Sequence, residues 1–155
     1  MSIVIPPKSK NYSIIAAITT NNVLGSQIIK GDVKKEDYLN FIYRIIEYYE
    51  FHKTSQHLII FADNASIHHA KFVTQHLNKK VTLLFNVSYT PRLNPIEEYF
   101  SKLKKLLRKM STTSEKDLIL SLQEAMNLFN ANDFKGYIRH VLFFIEKVCD
   151  DIDLY

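Results

Sequence analysis

The first residue whose type and position could do chemistry is Asp63. It directly follows residues 58–62, five uninterrupted apolar residues that predict a central strand buried on both faces. Ligand sites of open α/β sheets lie at the carboxyl ends of the strands, so Asp63 is a candidate metal or substrate ligand. The alternative is structural, with Asp63 and Asn64 forming a turn that caps the next helix.

A second carboxylate, Glu97, lies three residues after Asn94 at the start of a predicted helix. Asn94 is a favourable N-cap, and Pro95 suits the first helical position. The same spacing describes a capping box, in which the glutamate binds the backbone of the cap instead of a ligand. Helical-wheel positions do not distinguish Glu97 from Glu98, because both lie off the apolar stripe, on opposite flanks.

A strongly basic segment follows. Residues 102–109 contain no acidic side chain and five cations interleaved with leucines, namely Lys102, Lys104, Lys105, Arg108 and Lys109. At 100° per residue, Glu97, Ser101, Lys104 and Arg108 share one helix face, so the carboxylate face continues into positive charge. Such a face suits the phosphate backbone of a nucleic acid. The alternative is an ordinary solvated helix surface.

The elements that must position these side chains form an α/β pattern. Two strands joined by an Asn21-Asn22 turn are predicted over 12–20 and 23–29, and a helix over 35–51. Strands over 57–62 and 81–85 flank a helix at about 67–77. Residues 111–114 end the helix that begins at Asn94, and two more helices follow, the last over 134–148. This order predicts an α/β fold with a mixed sheet flanked by helices, in a single domain over 1–155.

Composition limits the class of function. The 155 residues are 46% hydrophobic, which is typical of one globular domain, and the single cysteine excludes an internal disulfide. The histidines lack close metal-ligand spacing, so a zinc site is not predicted. No segment has the ~18 apolar residues that span a bilayer, and no signal-peptide pattern begins the chain. We therefore expect a protein that is not secreted and has no membrane partner.

Two segments together make a family resemblance recognisable. Residues 63–71, Asp-Asn-Ala-Ser-Ile-His-His-Ala-Lys, resemble the second-aspartate motif of mariner-type DDE transposases, with Ser66 where the family usually has proline. Residues 88–104 resemble the third motif of the same superfamily, which centres on Leu-Asn-Pro-Ile-Glu. Thr90 replaces a serine there, and Phe100 replaces a tryptophan. The long second segment is specific, and the resemblance extends from about residue 12 to 109.

The resemblance implies a ribonuclease-H-like fold, with a core over about 10–110 and a helical C-terminal part over 114–149. It implies that Asp63 and Glu97 are metal-ligating catalytic carboxylates, and it favours Glu97 over Glu98. Asn64 and His68 match supporting positions of the second motif, while Asn94 and Pro95 set the start of the helix that carries Glu97. The implied cofactor is Mg²⁺ or Mn²⁺, the implied partner is DNA, and the implied chemistry is strand cleavage and transfer.

One departure concerns the first catalytic aspartate of the family, which lies on a strand ahead of the hairpin. Residues 1–9 contain no acid, and the first aspartate is Asp32. We therefore expect an N-terminally truncated domain without the family's N-terminal DNA-binding region, with weak metal binding and impaired cleavage. The alternatives are a non-catalytic DNA-binding or interaction module derived from a transposase and, less favoured, an unrelated ribonuclease-H-like nuclease. The expected protein partner is a second copy or a full-length transposase, in the nucleus of a eukaryote or the cytoplasm or nucleoid of a bacterium.

Overall fold

The computed structural model describes residues 2–3, 12–52, 57–63, 80–87, 90–110 and 113–152. Five strands occur among these residues: β1 (Ser2–Ile3), β2 (Tyr12–Ile18), β3 (Val23–Lys30), β4 (Leu58–Ala62) and β5 (Val81–Phe85). The described helices are α1 (Lys35–His52), α2 (Ile96–Leu107), α3 (Glu115–Asn127) and α4 (Ala131–Ile152), and a 3-10 turn spans Pro91–Leu93. The chain divides into two compact units, residues 1–32 with 95–155 and residues 33–94.

The first unit contains an antiparallel sheet in the order β1-β2-β3. The predicted hairpin turn is confirmed, because the amide of Thr19 donates to the carbonyl of Asn22 at 2.8 Å and its hydroxyl lies 2.6 Å from Asn22 Oδ1. The hairpin ends at Gly31, whose φ of +89° is costly for any residue with a Cβ atom.

The core of the first unit joins this sheet to α2, α3 and α4. Periodic apolar positions explain the helices, since residues three and four apart lie on one helix face. The largest fully buried side chains of this core are those of Ile14, Tyr99, Leu103, Leu118 and Leu122. Helix α3 begins directly after residues 111–114, with Ser114 as N-cap, whose side chain accepts from the amide of Asp117 at 3.1 Å.

The second unit packs α1 against the parallel pair β4-β5. Its core consists of Tyr38, Leu39, Ile42, Ile46 and Val81. The prediction that β4 is buried on both faces is wrong, because only one of its faces meets α1. Ile59 and Phe61 lie on the other face and are 61% and 44% exposed. The apolar run alone could not distinguish one buried face from two.

The described strands pair within each unit, as an antiparallel sheet of three in the first and a parallel pair in the second. The predicted α/β class is confirmed, because helices and both antiparallel and parallel strand pairs are present. The single mixed sheet stays a prediction. The predicted helix over 67–77 lies outside the described residues. No helix in the described ranges is long and apolar enough to cross a bilayer.

Candidate functional site

Asp63 lies at the carboxyl end of β4, in the second unit. Because β4 and β5 are parallel and in register from Leu58–Val81 to Ala62–Phe85, both strands end at the same edge. The first residue beyond each strand is polar, and Asp63 is exposed while Asn86 is 8% exposed. Asp63 is therefore at the edge that the sequence predicted. Asn64 and His68, the supporting residues of the same motif, lie outside the described residues.

Asn86 connects the end of β5 to residues beyond it. Its amide donates to the carbonyl of Ala62 at 2.9 Å, which continues the ladder of β4 and β5 by one bond. Its side-chain amide donates to the carbonyl of Thr90 at 2.7 Å, and its side-chain oxygen accepts from the amide of Val87 at 2.9 Å. Both polar groups of this buried side chain are therefore hydrogen-bonded, as buried polar groups generally are. This role of Asn86 is not predicted from the sequence, where its one sign is an asparagine directly after a strand.

Helix α2 begins at Ile96, one residue later than predicted, with Pro95 instead of Asn94 in the cap position and no side-chain cap hydrogen bond. Asn94 has extended dihedrals (φ −111°, ψ 109°), and Pro95 already has helical ones (φ −58°, ψ −25°). The carbonyl of Pro95 accepts from the amide of Glu98 at 3.2 Å. Proline in this place sets φ in advance and removes an amide that the helix could not have bonded.

Glu97 and Glu98 differ in what they bind. The amide of Asn94, which a capping box would offer to Glu97, already donates to the carbonyl of Pro91 at 2.9 Å. Glu97 is exposed, and within the described ranges no hydrogen bond or ion pair engages its carboxylate. Oε1 of Glu98, in contrast, accepts from Nδ1 of His140 at 2.5 Å. The structure therefore separates the two glutamates that the helical wheel left equivalent.

Lys102 also has a structural partner. Its ammonium donates to Oδ1 of Asp133 at 2.6 Å and lies 5.0 Å from the centre of the Phe129 ring. Asp133 is held in turn, because its second oxygen accepts from the amide of Asn130 at 3.0 Å in the cap of α4. The hydrogen bond from Lys102 holds the pKa of Asp133 below its usual value. This cation is thus bound within the first unit, unlike the others of the basic segment.

The remaining cations of the segment face solvent. Lys105, Arg108 and Lys109 are exposed and Lys104 is half-buried, and none has a carboxylate partner in the described part of the chain. Arg108 follows the last helical residue, Leu107, so the patch covers the C-terminal end of α2 and the turn beyond it. Cations there are also favoured by the helix dipole. This surface, Lys104, Lys105, Arg108 and Lys109, is called the basic patch below.

Two tyrosines are buried where α2 packs against α4, Tyr99 on α2 and Tyr137 on α4. Burial raises the pKa of Tyr99 to about 12. The pKa of Tyr137 is also raised to about 12, first by burial and then by the charges of Asp133 and Glu98. The hydroxyls of Tyr99 and Tyr137 are buried without a hydrogen-bond partner in the described structure.

The donor chemistry of Asp63 and Glu97 fits Mg²⁺ or Mn²⁺, which prefer carboxylate oxygens. Asp63 belongs to the second unit and Glu97 to the first. Within the described residues, no group of three or more histidine, cysteine, aspartate or glutamate side chains is arranged to hold a metal ion.

Comparison with protein families decides the class. A model of the DDE superfamily endonucleases matches residues 4–119, which is well over half of the chain. The chain belongs to the DDE superfamily endonucleases. The family resemblance stated from the two motifs is thereby confirmed.

Solved structures show which fold this DDE domain has. The crystal structure of the catalytic domain of Mos1 mariner transposase matches with a TM-score of 0.78 and 18% identity, covering 91% of this chain and 73% of that one. The pre-cleavage Mos1 transpososome matches with a TM-score of 0.78 and 18% identity over 95% of this chain and 46% of that one. At this identity the likeness shows the fold alone, which is that of the ribonuclease-H-like Mos1 catalytic domain.

A third structure is the Mos1 paired-end complex with Mn, with a TM-score of 0.74 and 18% identity. The match covers 91% of this chain and 44% of that one, so this chain spans less than half the length of that transposase. None of the curated proteins matches the chain.

Proposed function

We propose that this chain is the catalytic part of a transposase-type DDE endonuclease, in which Asp63 and Glu97 hold Mg²⁺ or Mn²⁺ for phosphoryl transfer on DNA. The observation that carries the proposal is the condition of Glu97. It is exposed at the start of α2 and has no hydrogen-bond or ion-pair partner among the described residues, and it lies at the position that the third family motif gives to a catalytic glutamate. Its neighbour Glu98 is occupied by His140.

The residues around the two carboxylates have supporting roles in this proposal. Asn94 and Pro95 fix where α2 begins and therefore where Glu97 lies along the chain. Asn64 and His68 have the supporting role that the second family motif assigns to their positions, and the basic patch binds the phosphate backbone. When bound, the divalent metal supplies activation of the attacking hydroxyl and stabilisation of the leaving oxygen. The finer assignment of one ribonuclease-H-like mixed sheet belongs to this proposal, supported by the likeness to Mos1.

Weak metal binding and slow cleavage are expected of the 155-residue chain alone. The resemblance assigns a first carboxylate to a strand ahead of the hairpin, while residues 1–31 contain neither aspartate nor glutamate. Two carboxylates hold a pair of metal ions more loosely than three, and a misplacement of about 1 Å can cost ~100-fold in rate.

Binding of Mn²⁺, followed by electron paramagnetic resonance of the free ion, tests the proposal. The wild-type protein should bind Mn²⁺, and the substitutions Asp63→Asn and Glu97→Gln should each abolish this binding. Glu98→Gln is the matched control, because it removes the same charge one residue away, and it should keep measurable binding. If Glu97→Gln binds Mn²⁺ like the wild type, the proposed site is wrong.

Nicking of supercoiled plasmid with Mn²⁺ measures the catalytic part of the proposal. We expect little or no nicking by the chain alone. Nicking that disappears in both Asp63→Ala and Glu97→Ala would support the site and overturn the expectation of impaired activity. Nicking that survives in both variants would contradict the site.

A second candidate function is a DNA-binding module without catalysis, also derived from a transposase. The observation that favours it is the basic patch, whose cations have no carboxylate partner in the described ranges, so their charge is available to a polyanion. Sequence-tolerant, salt-sensitive binding of DNA, with no Mn²⁺ binding at Asp63 or Glu97, would identify this function.

A further inference from the structure

A hydrogen bond and an ion pair connect α2 to α4, and both begin on the same side of α2. Glu98 binds His140, and Lys102, one turn later, binds Asp133. Because the earlier residue of α2 pairs with the later residue of α4, the two helices run antiparallel. The side chains of Lys102 and Asp133 are 35% and 20% exposed, and those of His140 and Glu98 are 69% and 38% exposed.

The first turn of α2 needs such a connection. The first amides of a helix have no partner within it, so its first turn is held less firmly than its middle. Tyr99, with none of its surface exposed, anchors the helix through ring contacts with Phe129 and Phe134 at 4.7 Å and 6.3 Å. Before Tyr99, Ile96 packs against the core and Glu98 binds His140, so Glu97 lies between two attached residues.

We propose that His140 is a positioning residue for the DDE reaction, which binds Glu98 and thereby fixes the direction of the Glu97 carboxylate on the neighbouring position of α2. The inference rests on the proposed function of Glu97 as a metal ligand. Glu98 and Glu97 differ by about 100° around the helix axis. A contact that fixes the direction of the Cα–Cβ bond of Glu98 therefore also fixes the direction of the Cα–Cβ bond of Glu97. Lys102 and Asp133 hold the next turn in the same orientation.

Energetics favour a role in orientation over one in stability. Exposed ion pairs contribute little to the free energy of folding, because each charge is already well solvated. Partners bonded directly to a metal ligand typically change metal affinity by about 10- to 100-fold when they are removed, and His140, which reaches Glu97 only through Glu98, should act at the lower end of this range. The pair of His140 with Glu98 should therefore influence Mn²⁺ affinity far more than it influences thermal stability.

The experiment compares three variants of the full chain. His140→Leu removes the donor, and His140→Asn keeps a donor close to the place of Nδ1. Lys30→Met is the matched control, because it breaks the exposed pair of Lys30 with Glu115 (2.9 Å), which joins β3 to α3 in the same unit. Two quantities are measured, the Mn²⁺ affinity and the hydrogen–deuterium exchange of the amides of residues 96–98.

His140→Leu should lower Mn²⁺ affinity about 10-fold and speed exchange in the first turn of α2. His140→Asn should restore most of both, and Lys30→Met should change neither. Unchanged exchange in His140→Leu would overturn the proposal whatever the metal data show. So would unchanged Mn²⁺ affinity in His140→Leu under conditions where Glu97→Gln abolishes binding.

Failure of the proposed function has a different signature. In that case Glu97→Gln itself leaves Mn²⁺ binding unchanged, and the positioning role falls with it. Faster exchange in His140→Leu would then report only a connection between α2 and α4.

Discussion

Neutralising the basic patch should change how DNA affinity depends on salt. The perturbation is the joint replacement of Lys104, Lys105 and Arg108 by glutamine. Each phosphate contact to duplex DNA contributes about 0.9 to the slope of log affinity against log salt, so three contacts contribute about 2.7. Between 50 and 200 mM salt, that slope corresponds to a change in affinity of roughly 40-fold. The triple variant should lose up to this amount of salt sensitivity.

The structure supplies a matched control within the same segment. Lys102 carries the same charge, but its ammonium is bound to Asp133 at 2.6 Å. Lys102→Gln should therefore leave the salt slope unchanged, although the sequence alone groups Lys102 with the DNA-binding cations. Fluorescence anisotropy with a labelled duplex at four or more salt concentrations gives the slopes. A triple variant with the wild-type slope would contradict this prediction. So would a Lys102→Gln variant whose slope falls by the amount of one phosphate contact, about 0.9.

Three further predictions concern the fold that presents the site. The pKa of Tyr99 is raised to about 12 in the folded state, so the unfolded state loses its proton first and stability falls as the pH rises from 10 to 12; Tyr99→Phe should reduce this alkaline loss, measured by urea unfolding, and an unchanged pH dependence would contradict it. The pKa of Asp133 is lowered, so its contribution is present above pH 4 and is lost on acidification; Asp133→Asn should flatten the acid limb of the same curve, and an unaltered limb would show that the pair with Lys102 is not formed. Leu103→Ala removes a side chain with none of its surface exposed and should destabilise the chain by about 2–5 kcal/mol, and a loss below about 1 kcal/mol would argue against the described core.

Much of the fold could be predicted from local pattern. The hairpin, β5 and the described helices occur within a few residues of their predicted positions, because turn residues, short apolar runs and three-to-four spacing are local signals. The pairing of strands could not be predicted in the same way. Whether Ile59 and Phe61 are covered depends on what packs against β4, and an apolar run carries no information about that.

The candidate site divides along the same line. The two motifs identify Asp63 and Glu97 as candidates, and the turn chemistry at Asn94 and Pro95 predicts where α2 begins. The difference between Glu97 and Glu98 could not be predicted from the wheel, because it depends on His140, which is 42 residues away in the sequence. The different condition of Lys102 depends in the same way on Asp133, 31 residues later. The sequence contains one sign of these two pairs, which is complementary side chains at helical spacing on two helices. Glu98 and Lys102 lie on one helix, and Asp133 and His140 lie on the other.

The proposed function requires Asp63 and Glu97 to bind the same metal ion. Paramagnetic broadening of amide resonances by substoichiometric Mn²⁺ tests this requirement most directly, because broadening is confined to amides close to the bound ion. We expect the amides of Asp63 and Glu97 to broaden together, at the same Mn²⁺ concentration, and Asp63→Asn to remove the broadening at Glu97. Broadening at only one of the two residues, or broadening at Glu97 that persists in Asp63→Asn, would contradict it.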